Sequence, residues 1–141
     1  MSPRREIRRA WPEELPDCAD LYVRVLRDTF HWQAPERHQA EDFFGAARDE
    51  EIYVALEDGR LLGVAAFFRP QNFLHSLYVE ARGAGVGKAL LDHVTALADG
   101  PVSLKVQAPN VRAQAFYARE GFRCIERGED GDVAWLRLVR G

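Results

Sequence analysis

The chain has 141 residues, a length suited to one domain with one hydrophobic core. Hydrophobic residues make up 47%, charged residues 29%, and the net charge is -3, so the composition is ordinary globular usage and offers no electrostatic case for nucleic acid. No apolar run approaches the roughly 20 residues of a membrane span. The opening MSPRREIRRAW lacks the apolar stretch of a signal peptide, and Cys18 and Cys124 stand apart with no metal or redox spacing. The expectation is a cytoplasmic protein with two reduced thiols.

Arg5–Ala10 is a short extended run and reads as a first strand. Pro12 and Pro16 lead into a helix for which Asp17 is the expected N-cap, with Leu21, Val25 and Phe30 as its apolar stripe. An aromatic-rich turn, Thr29–Gln39, breaks it, and a second helix is expected from Pro35 to Ala47. The period then changes. Glu51–Glu57 alternates as a strand, Asp58-Gly59 is a hairpin signal, and Arg60–Phe68 is its partner. A turn at Arg69–Asn72 leads to a third strand of this meander, Phe73–Val79. After a glycine-rich loop, Val86, Leu90, Val94 and Leu97 fall on one helical face, which Gly100-Pro101 ends. Val102–Gln107 alternates as a strand, and a right-handed crossover should make it parallel to Phe73–Val79. Asn110 caps a short helix that Gly121 closes. Two final strands, Phe122–Gly128 and Val133–Val139, flank a turn. The fold class expected is α+β: about seven strands in a mixed sheet, with four helices on its faces.

The loop is Glu80-Ala-Arg-Gly-Ala-Gly-Val-Gly-Lys88. A Walker A loop would need glycine at position 82 and a hydroxyl at 89, where Arg82 and Ala89 stand. A dinucleotide fingerprint starting at Gly83 would need glycine where Lys88 is. The pattern that fits is R/Q-x-x-G-x-G/A, with Arg82, Gly85 and Gly87 between a strand and a helix. The first amides of a helix have no internal partner and carry partial positive charge, so they suit a pyrophosphate, and glycines keep them accessible. Taken alone, the glycines could equally do no more than turn the chain.

Phe73–Leu91 resembles the central strand, pyrophosphate loop and helix of the GNAT superfamily of acyl-CoA-dependent N-acetyltransferases. Asn110–Phe122 resembles that family's second signature, N-x-x-A-x-x-x-Y-x-x-x-G-F, through Asn110, Ala113, Tyr117, Gly121 and Phe122. The element order agrees over nearly the whole chain, which reads as a single N-acetyltransferase domain over residues 1–141. The resemblance implies splayed central parallel strands that hold the pantetheine arm of acetyl-CoA, the co-substrate, against Leu77, Tyr78 and Val79. It implies that Arg82, Gly83, Ala84, Gly85, Val86, Gly87 and Lys88 take the pyrophosphate, with Asn110 beside the ligand.

The reaction so implied moves an acetyl group to an amine by direct attack on the thioester. A strand N–H near Leu77 would polarise the carbonyl. Tyr117 shares a helical face with Asn110 and is the candidate acid for the departing thiolate; the alternative is a tyrosine packed at the helix–sheet seam. His75 precedes Leu77 by two residues on the same strand, so both are expected to point to one face, and it is the candidate base; water as the base and a histidine held in the sheet stay open. His31, His38 and His93 show no metal-ligand spacing, and no metal is expected. Phe30 and Trp32 could wall an acceptor pocket, and Asp28, Glu36, Glu41 or Asp42 could attract an ammonium, but nothing names the acceptor beyond a small-molecule amine or a protein amino group. A homodimer is an assembly the resemblance allows. A non-catalytic acyl-CoA-binding module on the same fold is the alternative function.

Overall fold

The computed structural model describes residues 4–29, 39–80 and 85–141. Phe30, His31, Trp32, Pro35, Glu36 and His38, and the loop residues Arg82, Gly83 and Ala84, lie outside the described residues. The elements are β1 (Arg5–Arg9), α1 (Leu15–Thr29), α2 (Ala40–Ala47), β2 (Glu51–Glu57), β3 (Arg60–Phe68), β4 (Phe73–Val79), α3 (Val86–Leu97), β5 (Val102–Gln107), α4 (Val111–Arg119), β6 (Arg123–Asp130) and β7 (Val133–Arg140). One seven-stranded sheet takes the order β1-β2-β3-β4-β5-β7-β6. Every pairing is antiparallel except β4–β5, which is parallel as the crossover through α3 requires.

Local chemistry explains most boundaries. Asp58 and Gly59 both take positive φ, the backbone of the expected hairpin turn. Asp17 is not the N-cap of α1. A 3-10 turn, Pro12–Glu14, precedes the helix, and its entry is closed by the Trp11 N–H donating to Glu14 Oε1 at 2.8 Å. Asp17 falls instead in the first turn of α1, where its charge complements the helix dipole. On α3, Leu91 joins Val86, Leu90 and Val94 in the core, whereas Leu97 at the last turn is 41% exposed.

Alternation along the strands divides the core in two. Tyr53, Ala55, Ala65, Phe67 and Leu74 pack with α3 and with Tyr117 and Phe122 on one side. Ile52, Val54, Val64 and Ala66 pack with Cys18 and Leu21 of α1 and Phe43 of α2 on the other. Each of the four buried side chains of α3 contributes about 1.5–3 kcal/mol relative to exposure. Gly63 lets α3 approach: a Cβ there would lie 2.8 Å from Leu90 Cδ1.

The strand at the centre of the sheet is irregular. The β3–β4 register passes from Phe67↔Leu74 to Ala66↔Ser76, so His75 is the extra residue of a β-bulge. A bulge bends its strand and increases the local twist. Only Phe73↔Ser103 and Leu74↔Leu104 pair β4 with β5. Beyond the bulge β4 runs on to Val79 while β5 pairs along its length with β7 instead. The parallel strands therefore splay, as the resemblance implied, and the bulge sits where they part.

Candidate active site

One wall of the opening is the backbone of β4. Glu80 N–H donates to Leu62 O at 2.9 Å, which marks Leu62–Glu80 as a hydrogen-bonded pair of the β3–β4 ladder. Such pairs alternate with pairs whose N–H and C=O point away from the partner strand. Ala65↔Leu77 and Gly63↔Val79 are the alternate pairs, so the backbone groups of Leu77 and Val79 face the opening. The Leu77 and Val79 side chains turn into the α3 cluster, and the Tyr78 ring turns to the α1 side, edge-on to Tyr22 at 5.1 Å. The backbone of Leu77–Val79, not its side chains, is what the opening presents.

At the far end of that wall α3 begins. Gly85 is its N-cap, at φ +77°, a conformation costly for any residue with a Cβ. Among the described residues no side chain caps the helix; its first internal bond is Ala89 N–H to Gly85 O at 3.0 Å, leaving the amides of Val86, Gly87 and Lys88 without intrahelical partners. These groups fit a pyrophosphate. Gly87 has a second reason to be glycine, because a Cβ would meet Phe116 of α4 at 3.4 Å. The Lys88 ammonium is already engaged: its Nζ lies 2.9 Å from Glu120 Oε1 and 3.3 Å from Asp92 Oδ2. Arg5, missed in the sequence, lies beside Gly85. Its Nη1 is 3.7 Å from where a Gly85 Cβ would be, and it is ion-paired with Glu57 at 2.9 Å.

The other strand of the splay, β5, leads into α4. Asn110 Oδ1 accepts from Ala113 N–H at 3.2 Å and caps that helix. Tyr117 is buried between Phe116 and Phe122, with ring centroids 5.1 and 5.4 Å away. Burial alone pushes its phenol well above the usual tyrosine range. Tyr78 is raised likewise, first by burial, with the Ser76 hydroxyl offsetting part of the rise. Both phenols are held protonated, and the same burial makes each a weaker acid than an exposed tyrosine.

His75 departs from the sequence expectation in direction. The bulge breaks the alternation, so Leu74 and Leu77, three apart, share the α3 face. His75 instead lines a small cleft of about 60 Å³ on the α1–α2 side, with Tyr22, Asp42, Phe43, Glu50, Ser76 and Tyr78 among its walls. Its Nδ1 lies 2.8 Å from Glu50 Oε1. The Glu50 side chain is 8% exposed, while the imidazole is 47% exposed. The hydrogen bond to Glu50 raises the His75 pKa above its ordinary value, with burial opposing. Sequence reasoning missed Glu50, which is one of three acids in the run Asp49-Glu50-Glu51, and nothing in that run marks which one turns inward. Of the acceptor-side acids, Asp42 reaches this cleft. Among the described residues no group of His, Cys, Asp and Glu is arranged to hold a metal ion. No described helix is long and apolar enough to cross a membrane.

A strand edge left open by a splay, leading to a helix N-terminus at Gly85, is the arrangement that the resemblance implied for acyl-CoA. Residues 7–122 match the Acetyltransferase (GNAT) family, and the chain belongs to it. It is an N-acetyltransferase that draws its acetyl group from acetyl-CoA. An uncharacterized N-acetyltransferase of Archaeoglobus fulgidus is 30% identical over 144 residues, 89% of this chain and 98% of that protein. The solution structure of apo YjaB from Escherichia coli superposes with a TM-score of 0.82 at 22% identity, covering 96% of this chain and 97% of that one. The PaiA N-acetyltransferase of Thermoplasma acidophilum, solved in complex with coenzyme A, gives 0.73 at 21% identity over 97% and 98% of the two chains.

Proposed function

We propose that the whole chain, residues 1–141, forms one catalytic unit that acetylates a primary amine by direct attack on the acetyl thioester. The observation that carries this reading is the splay beyond Leu74, with the Leu77 and Val79 backbone facing it. Acetyl-CoA supplies the activated acetyl group. The pantetheine amides extend the sheet along Leu77–Val79, as an added strand would. Arg82, Gly83, Ala84, Gly85, Val86, Gly87 and Lys88 receive the pyrophosphate, Lys88 chiefly through its backbone because its ammonium is already paired. Asn110 orients the arm from the β5 side of the splay.

The Leu77 N–H polarises the thioester carbonyl as negative charge develops on its oxygen. Tyr117, buried and protonated, gives its proton to the departing sulfur. His75 takes a proton from the acceptor ammonium, on the α1–α2 side of the sheet, and the free amine enters at the bulge. The acceptor is a small-molecule amine or a protein amino group, met in the cytoplasm by a monomer or a homodimer. Release of free CoA thiol from acetyl-CoA across a panel of small amines and lysine peptides tests the reading. Amine-dependent release is expected, and Tyr117→Phe should lower kcat about a hundredfold while leaving KM for acetyl-CoA near wild type. Full turnover in Tyr117→Phe would remove it as the acid.

A further inference from the structure

The Glu50 carboxylate is a costly group to bury. Its side chain is 8% exposed, and Oε2 has no hydrogen-bond partner among the described residues. An isolated buried carboxylate is strongly disfavoured unless a cation or donors compensate it. The His75 ring is the partner present, through Nδ1 and Oε1 at 2.8 Å. The two come from different elements, Glu50 from the turn between α2 and β2 and His75 from the bulge of β4. The bulge makes the contact, because a regular strand would send position 75 to the same face as Leu77. No protein partner for Nε2 is seen among the described residues. The other titratable groups facing this cleft are Tyr22 from α1, Asp42 from α2 and Tyr78 from β4. The two phenols have pKa values raised mainly by burial and stay neutral, and beside Glu50 the carboxyl group that faces the cleft is that of Asp42.

We propose that Glu50 is a positioning residue: its carboxylate holds the His75 proton on Nδ1 and thereby leaves Nε2 as the nitrogen that takes the acceptor ammonium's proton. This rests on the reading of His75 as the base. The acceptor arrives as R–NH3⁺, and its N–H bond breaks as the proton passes to Nε2. The freed lone pair forms the bond to the acetyl carbon as the carbon–sulfur bond breaks. The remaining excess proton of the new amide nitrogen leaves to solvent, the sulfur receives its proton from the phenol, and solvent then restores the phenol proton and takes the one held on Nε2. The Glu50 charge also makes the imidazole more basic, which narrows the gap to an alkyl ammonium. The cost is that the ring must lose its resting proton, so turnover increases with pH through the His75 pKa.

Nitrogen-15 NMR of the histidine rings in the wild-type chain tests the assignment without an acceptor. The neutral His75 ring should be the Nδ1–H tautomer; an Nε2–H tautomer would overturn the proposal. In Glu50→Gln, which keeps an oxygen to accept from Nδ1–H but drops the charge, the His75 pKa should fall. With acetyl-CoA and n-butylamine as the probe, the acid limb of kcat/KM should move to lower pH and the plateau drop about tenfold, with KM for acetyl-CoA within about twofold. Glu50→Asp, which keeps the charge at shorter reach, should hold the limb near its wild-type position. A limb unmoved in Glu50→Gln sinks the role of Glu50 and leaves His75 as the base. A limb retained in His75→Gln removes His75 as the base, and the inference with it. If Glu50→Gln does not fold, the wild-type tautomer decides.

Discussion

Glu50 and Glu51 are neighbours in sequence and opposites in structure. Glu51 is saturated: Arg69 Nε and Nη2 donate to its two oxygens at 2.6 and 2.7 Å, and the Tyr53 hydroxyl adds a bond of 2.6 Å. Arg69 lowers its pKa from 4.5 to about 2, burial opposing. Glu50 has one partner, an imidazole that can lose its charge, and one oxygen with none among the described residues. A carboxylate locked to a guanidinium cannot change state near neutral pH, because arginine does not titrate there. A carboxylate facing a histidine can, because the pair's charge changes within the physiological range. The first arrangement ties β2 to the end of β3, and the second leaves a proton to move.

Tests that break the comparison follow from this, strongest first. His75→Gln should lower kcat/KM about a hundredfold and erase its acid limb, and it should lower the melting temperature at acid pH because Glu50 loses its cationic partner; an unchanged rate–pH profile would show that the imidazole only fills the cleft. Glu51→Gln should leave the rate untouched. Its expected cost is about 1–2 kcal/mol, after discounting for solvent around the half-exposed Arg69, read as a lower denaturation midpoint with kcat unchanged. A normal midpoint in Glu51→Gln would mean that the Arg69 pair contributes nothing net.

Acid and base then act with opposite sign. Because the folded-state pKa of Glu51 is depressed, its stabilisation is present above 4.5 and is lost as pH falls toward about 2. Because that of His75 is raised, its pairing with Glu50 stabilises fully below 6.5 and is lost as pH rises through the folded-state value. Chemical denaturation across pH should show the first loss vanish in Glu51→Gln and the second in His75→Gln. The smallest effect belongs to Lys88, whose ammonium is held by Asp92 and Glu120. Lys88→Ala should change KM for acetyl-CoA less than about threefold; a much larger rise would show that the pairs open to the ligand.

The hairpin at Asp58-Gly59, all the strands of the meander and the helix cap at Asn110 were legible because each depends on residues close in sequence. The boundaries of β2 and β5 fall where alternation placed them, and those of β3 and β4 where the hairpin and turn signals did. The entry to α1 was misread because a 3-10 turn closed by Glu14 competes with a cap at Asp17, and both offer a carboxylate near a helix start. The glycine pattern and Asn110–Phe122 carried the family, since they require fixed residue types at fixed spacing.

What the sequence determined by itself was therefore the order of the elements, the family and the co-substrate, all written in local spacing. Tertiary structure decided which way His75 points, that Lys88 is already paired and that Glu50 rather than Glu51 turns inward. A bulge is a mismatch between two strands, and an ion pair joins groups far apart in the chain. Neither leaves a periodic mark on the strand that carries it, and both exist only once the sheet has formed.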